Sequence, residues 1–388
     1  MKTVQQTSKL PVWKRIAPLM GAHFCSDFFG NVLPVILPLI SVKFGLTKAL
    51  VGLVSSVGTT TASLTQLFFG FISDRFSKAN FVLWGPVLGG AMISLAGLMP
   101  NYPLLLVVVA IGGLGSAMFH PQGSATVGSL FHQRRGLALS LFITSGRTGA
   151  SLAPIVAGFV FGTLGLTNGA FAFLGVVVVI FLGLWFTVPA PPKQEKKDRL
   201  HLKEASQKLF LILCLVVCRH IVYASFLVYL IFLLQDRGWS YESASFGLFV
   251  FLFGNAFGSL IGGPLSDRMG RKPLIIGSYA LAFVCLWFFL NTQGFEFFWL
   301  ALGGIILVSN NPVLVAHAQE MMPAHAGTAS AVAMGLGWFG GTITVPLIGI
   351  LADQTNTLTA LNVSVYGALL AAIIGFILPK EKAPQKLT

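Results

Sequence analysis

Charge is what this chain has least of. Its 388 residues include 25 Lys and Arg but only 12 Asp and Glu, so charged residues make up 10%, against about 25% in a typical soluble protein. That scarcity excludes a string of soluble domains, because so few charges cannot cover the surface of a chain that is 55% hydrophobic. Cysteine is also scarce. Cys25, Cys214, Cys218 and Cys285 all lie inside apolar runs, and 214/218 is one helical turn rather than a CxxC pair. The spacings match no zinc or redox motif, so the thiols read as small apolar packers and neither a metal nor a cofactor is expected. No phosphate-binding glycine loop is present, so nucleotide hydrolysis is not the expected energy source. No nucleophile–base pattern stands out, so the chain does not read as an enzyme. The net charge of +13 is spread along the chain instead of gathered on one domain, which argues against a nucleic-acid partner. The alternation over about ten residues that marks a transmembrane β-barrel strand is missing.

What is there is long apolar runs, 34 Phe and 43 Gly, with a mean hydropathy of +0.82. A membrane-spanning helix needs about 20 mostly apolar residues. The pattern predicts twelve, at 16–42, 49–72, 80–99, 104–130, 136–163, 167–189, 208–234, 241–264, 273–292, 296–320, 327–352 and 358–379. The first run is too long for a signal peptide and is expected to stay as helix one. Residues 190–207 are Pro-rich and then highly charged, which predicts a solvated linker. The expected fold class is therefore an all-α membrane protein with an N-terminal six-helix bundle (1–189), a cytoplasmic linker (190–207) and a C-terminal six-helix bundle (208–388).

Lys and Arg set the orientation of membrane proteins, collecting on the cytoplasmic side. With the N-terminus inside, the cytoplasmic segments hold 20 of them and the outer side holds three, Lys43, Lys48 and Arg237, while Arg147 and Arg219 fall within spans. Both termini and the linker are thus expected in the cytoplasm. The halves also repeat. Gly70-Phe-Ile-Ser-Asp74-Arg75-Phe-Ser-Lys78 returns as Gly263-Pro-Leu-Ser-Asp267-Arg268-Met-Gly-Arg271, and the same offset of 193 pairs Gly45 with Gly238. Six spans is an even number, so the repeats are parallel and related by a pseudo-twofold along the membrane normal. A substrate site is then expected between the halves near the midplane.

The paired G-x-x-x-D-R-x-x-[RK] loops after spans 2 and 8, with the 6+6 arrangement and the basic linker, resemble the major facilitator superfamily over nearly the whole chain. His23-Phe24-x-x-Asp27, Leu33-Pro34, Leu37-Pro38 and Phe119-His120-Pro121 further resemble its fosmidomycin-resistance group of drug exporters. That resemblance implies a secondary transporter working by alternating access, with spans 1, 4, 7 and 10 lining a central cavity. It also implies a cytoplasmic gate at Asp74, Arg75, Asp267 and Arg268. Two positions depart from the group: Gln122 stands where an acidic residue often follows His-Pro, and Arg147 where a small polar residue is usual. Gly146-x-x-Gly149, Pro154 and Gly158 resemble the glycine–proline motif of antiporter branches, which implies a seal between spans 5 and 8.

Ionisable groups at membrane depth are costly and usually face a cavity or a partner. At 1.5 Å per residue, Asp27, His120, Arg147, Arg219 and His220 fall near the midplane. His23 lies one turn nearer the cytoplasm, on the same face as Asp27, and Asn31 continues that face. Burial disfavours a charged carboxylate and a nearby Arg favours it, so a substrate that engages the Arg would let Asp27 take up a proton. This makes Asp27 the expected proton carrier, and His120 and His23 are further candidates for proton coupling. Arg147 is the expected anion clamp, because guanidinium offers a fixed fork of donors. Arg219, His220, Tyr223, Asn31, Asn311 and His317 are the remaining candidates for substrate contact. His132, His201 and His325 are assigned no role.

The expected activity is proton-coupled export of small anionic or amphipathic compounds, such as fosmidomycin-like drugs, by a monomer in a bacterial cytoplasmic membrane. Its partners would be the substrate, protons and the bilayer. Proton-coupled import of an organic anion and flipping of a lipid or lysolipid are the alternatives.

Overall fold

The computed structural model describes residues 12–75, 80–130, 135–188, 209–322, 329 and 336–378. The linker at 190–207 and His132, His201 and His325 lie outside the described residues. Everything regular within them is helical: α1 (Val12–Gly30), α2 (Val32–Phe44), α3 (Lys48–Arg75), α4 (Phe81–Ala96), α5 (Tyr102–Leu130), α6 (Arg135–Thr187), α7 (Phe210–Asp236), α8 (Tyr241–Met269), α9 (Arg271–Asn291), α10 (Glu296–Ser309), α11 (Asn311–Met321), α12 (Gly337–Thr342), α13 (Val345–Gln354) and α14 (Thr357–Gly375). Eight of the described helical stretches are long and apolar enough to cross a membrane. The described helices fit twelve crossings when α1/α2, α10/α11 and α12/α13 each form one broken span and α6 forms two. α6 turns at Gly165, whose φ of 73° only glycine adopts readily.

Apolar run length does not mark the breaks, and proline accounts for them. A proline lacks the N–H that would bond four residues back, and its ring crowds that carbonyl. Pro34 therefore disrupts the helix at Gly30, where α1 ends. Pro312 and Pro346 stand at the first turns of α11 and α13, just after breaks at Asn310 and before Val345. By contrast α5 runs unbroken through Pro121.

Two compact units emerge. Unit 1 is Met1–Asp198 with Ser240–Phe249, and unit 2 is Arg199–Trp239 with Val250–Thr388. The start of α8 thus packs with the first unit. Lipid offers no hydrophobic drive between helices, so close packing of small residues holds them. In unit 1, a Cβ added at Gly115 of α5 would strike the backbone of Gly85 and Gly89 on α4. In unit 2, Gly254, Gly258 and Gly262 of α8 lie against the carbonyls of Ala301, Ile305 and Ser309 on α10 and leave no room for a side chain.

The repeat read from sequence recurs in backbone detail. Gly45 and Gly238 both take positive φ, 61° and 86°, after the first span of each half. Beside them stand two cations, Lys43 and Arg237. Lys43 Nζ donates to Gly97 O and Met99 O at 3.0 and 2.8 Å, just past the end of α4. Arg237 donates to Phe289 O and Leu290 O at 3.2 and 2.6 Å, at the end of α9. Each cation satisfies terminal carbonyls at the negative end of a helix dipole.

Candidate functional site

α1, α5 and α6 bring three ionisable side chains together in unit 1. His23 and Asp27 are one turn apart on α1, and His23 Nε2 lies 3.3 Å from Asp27 Oδ2. His120, from α5, places its Nε2 3.1 Å from the other oxygen, Asp27 Oδ1. Both rings are anchored from behind. His23 Nδ1 is 2.7 Å from Phe142 O on α6, and His120 Nδ1 is 2.8 Å from Ser116 O. The Phe119 and Phe142 rings flank His23, at 5.4 and 4.2 Å between centroids.

Glycine makes this approach possible. Gly146 of α6 packs directly on His23 Nε2 and Asp27 Oδ2, and Gly149 packs on the Phe24 carbonyl. The upper part of the same segment turns elsewhere: Gly158 meets Ser245 and Gly162 meets Glu242, in the part of α8 that belongs to unit 1. The glycine–proline segment therefore serves two neighbours, α1 at its lower end and α8 at its upper end. Arg147, half-buried, follows Gly146 on α6.

The ring nitrogens of His23 and His120 and a carboxylate oxygen of Asp27 lie within 4.8 Å of one another, the one such group among the described residues. Each histidine meets its own oxygen of Asp27, so the contacts form two separate pairs.

Gln122, buried behind His120, accepts from Val82 N at 3.0 Å. It satisfies an orphan donor at the start of α4. Asn31 sits at the α1/α2 break and donates to Asp27 O at 2.9 Å, so it closes the end of α1.

In unit 2, Arg219 is buried and donates to Asn310 Oδ1 at 3.4 Å, and Asn310 in turn donates to Ser278 Oγ at 2.8 Å. Asn310 marks the α10/α11 break, with buried Asn311 opening α11. His220 Nε2 is 3.0 Å from Thr342 Oγ1. That hydroxyl donates its one proton to Trp338 O, so His220 is the donor in the pair. Its ring stacks on Trp338 at 5.7 Å and lies 5.7 Å from Tyr223. His317 is near the far end of α11, 3.8 Å from Glu320, which is also paired with Arg271. Asp267 and Arg268 are exposed at the end of α8, one turn before Arg271. Asp74 and Arg75 close α3, but their side chains lie outside the described set. The glycine contacts around Asp27, the Gln122 bond and the Arg219–Asn310–Ser278 chain went unread in the sequence. Of these, only the bare Gly146 beside an intramembrane Arg offered a signal.

Comparison with known proteins fits this architecture. The sequence model of the Major Facilitator Superfamily matches residues 19–249 and 212–388. The chain is 27% identical to the fosmidomycin resistance protein of Escherichia coli (strain K12), over 92% of this chain and 90% of that one. It is 28% identical to a probable 4-methylmuconolactone transporter of Cupriavidus pinatubonensis, over 65% of this chain and 61% of that one. Among solved structures, a bacterial homologue of the human lysosomal transporter Spinster superposes with a TM-score of 0.81 at 15% identity, covering 93% of this chain and 95% of that one.

Proposed function

Because the chain belongs to the Major Facilitator Superfamily and is a multi-pass membrane transporter, we propose that it drives export of small anionic or amphipathic compounds with the proton gradient, by alternating access. The location would be a bacterial cytoplasmic membrane, with both termini inside. Fosmidomycin-like phosphonates lead as substrates, supported by the likeness to the Escherichia coli resistance protein along nearly the full length of both chains.

The observation that carries the proton part is the His23–Asp27–His120 cluster. An acid at membrane depth held between two imidazoles has a partner for each of its oxygens through which protons can be gained or lost. Asp27 and His120 have side chains 23% and 29% exposed, so the cluster is open on one side. Arg147, beside Gly146, is placed on the helix that backs the cluster and serves as the anion clamp. His220, Tyr223 and Trp338 form an aromatic group in unit 2 that would line a binding surface, with Asn311 near the α10/α11 break. Asp74, Arg75, Asp267 and Arg268 would form the cytoplasmic gate.

A drug-sensitive host lacking its own exporter tests the reading. Native chain should lower fosmidomycin retention, and both a protonophore and Asp27→Asn should abolish the effect at matched expression. Unchanged retention with the native chain would remove the phosphonate assignment.

Charge supports a second reading. An anion bound beside the cluster and protons loaded on it stabilise each other, which favours carrying both in one direction. Import of an organic acid would follow, and one relative is named a probable transporter of 4-methylmuconolactone. Flux direction under an imposed pH gradient separates the two.

A further inference from the structure

The geometry points to two separate proton seats, one on the Nε2 of each histidine and each facing a different carboxylate oxygen of Asp27, so that the His23–Asp27–His120 cluster takes up two protons between its empty and loaded states. The inference deepens the proton-coupling reading and rests on it for its role in transport, whereas the seats follow from hydrogen-bond geometry.

A backbone carbonyl can only accept. His23 Nδ1 lies 2.7 Å from Phe142 O. His120 Nδ1 lies 2.8 Å from Ser116 O and 3.2 Å from Ser116 Oγ; the nearer carbonyl cannot donate, so it holds the hydrogen on Nδ1 and the hydroxyl oxygen makes only the longer contact. In each ring the proton of the neutral form therefore sits on Nδ1. Nε2 is then a bare lone pair in the neutral ring. Each Nε2 faces a carboxylate oxygen, Oδ2 at 3.3 Å for His23 and Oδ1 at 3.1 Å for His120. Two lone pairs at that separation repel. One proton on each line turns the repulsion into a charge-assisted hydrogen bond. The two lines end on different oxygens, so one proton cannot serve both. Empty, the cluster carries one negative charge. Fully loaded, it carries one positive charge.

The surroundings leave these seats to this cluster. α4, packed on α1, has no ionisable residue, and α5 contributes only His120 near this depth. α3, packed on α5, carries Lys48, Asp74 and Arg75 only at its two ends, and α2, packed on α1, carries Lys43 at its far end. α6 contributes Arg147, adjacent to Gly146, the residue that touches both His23 and Asp27. On α1 itself, Cys25 is the other titratable neighbour. The seats are unequal. The His23 side chain is 7% exposed, under Phe119, Phe142 and the Gly146 backbone, while His120 is 29% exposed. The His120 seat is therefore the more open of the two, and the His23 seat exchanges its proton through Asp27, the more exposed of its partners.

The full chain with 15N-labelled histidine, in lipid nanodiscs, gives the direct test by nitrogen NMR. His23→Gln and His120→Gln assign the signals, and where a variant does not fold, the contacts of His23 with Phe142 supply the assignment. At alkaline pH both rings should carry hydrogen on Nδ1 with Nε2 bare. On acidification both Nε2 signals should move to the protonated, hydrogen-bonded position. A ring holding its hydrogen on Nε2 at alkaline pH, or a response from one ring alone, would overturn the two-seat assignment. A second arm uses proteoliposomes and fosmidomycin, in which either glutamine variant should move half as many protons per drug as the native chain. Equal stoichiometry in native and variants would also overturn it. Fosmidomycin transport with no proton movement, alongside two responsive rings, would remove the coupling reading and leave the two seats standing.

Discussion

Gly146 lies flat against the carboxylate of Asp27: a Cβ built at 146 would stand 2.5 Å from Asp27 Oδ2, and it would strike His23 Nε2 as well. The helix that backs the cluster is thus fitted to it at the scale of one methyl group. Gly146→Ala forces the two side chains off their shared line. Overpacking of this kind costs about 1–3 kcal/mol. The expected outcome is a protein that still inserts and purifies, with transport reduced tenfold or more. Initial rates in proteoliposomes, normalised to folded protein, check it. Gly149→Ala should act differently, because its obstacle is the Phe24 carbonyl, which cannot rotate away. That variant should lose thermal stability first.

Gln122 predicts a ranking. Its Oε1 accepts from Val82 N at the start of α4. Gln122→Glu keeps an acceptor and sets a negative charge at the helix N-terminus, where it is favoured. Gln122→Leu strands a buried N–H, at about 2 kcal/mol. Thermal unfolding in detergent should place Glu near Gln and Leu clearly below. The same argument accounts for an acidic residue and a glutamine both being serviceable after His-Pro.

Lys43 and Arg237 predict a loss of stability with little loss of function. Each caps the carbonyls that close the third span of its half. Arg237 is partly buried, and burial lowers its pKa while Glu296 opposes the shift; it stays charged across the working pH range. Lys43→Met should lower stability by about 1 kcal/mol and Arg237→Met by about 2 kcal/mol. The melting temperature should fall in both, with transport per folded molecule unchanged.

Arg219 and Asn310 predict a structural signature. The guanidinium reaches Asn310, which reaches Ser278 on α9. Asn310→Ala removes the middle of a buried chain of polar groups, at about 2 kcal/mol. Thermal stability should fall in the empty protein, and added substrate should restore it no better than in the native chain. Preferential rescue by substrate would instead place Asn310 in the binding surface.

How much of this was legible in the sequence divides by physical cause. Apolar run length dictated the crossings, and the 193-residue offset anticipated the matched Gly45 and Gly238 turns. His23 and Asp27 share a face by helical periodicity alone. Which way a helix is rotated is a different matter. The sequence offered Arg147 and the histidines alike as neighbours of Asp27, and the pairing with His120 depends on how α5 packs on α1. Arg219 and His220 are adjacent, yet their hydrogen bonds go to Asn310 on one side and Thr342 on the other. Helix breaks at Gly30 and Asn310 were signalled by Pro34 and Pro312, but Pro121 sends the same signal inside an unbroken α5. Proline alone does not say which outcome packing will choose.

The most direct measurement is proton movement driven by drug. Native chain and Asp27→Asn are reconstituted in liposomes holding a pH-sensitive dye, and a fosmidomycin gradient is imposed with no pH gradient. Proton flux opposite to the drug is expected with the native chain and none with Asp27→Asn. Drug movement without proton flux, or proton flux undiminished in Asp27→Asn, would contradict it.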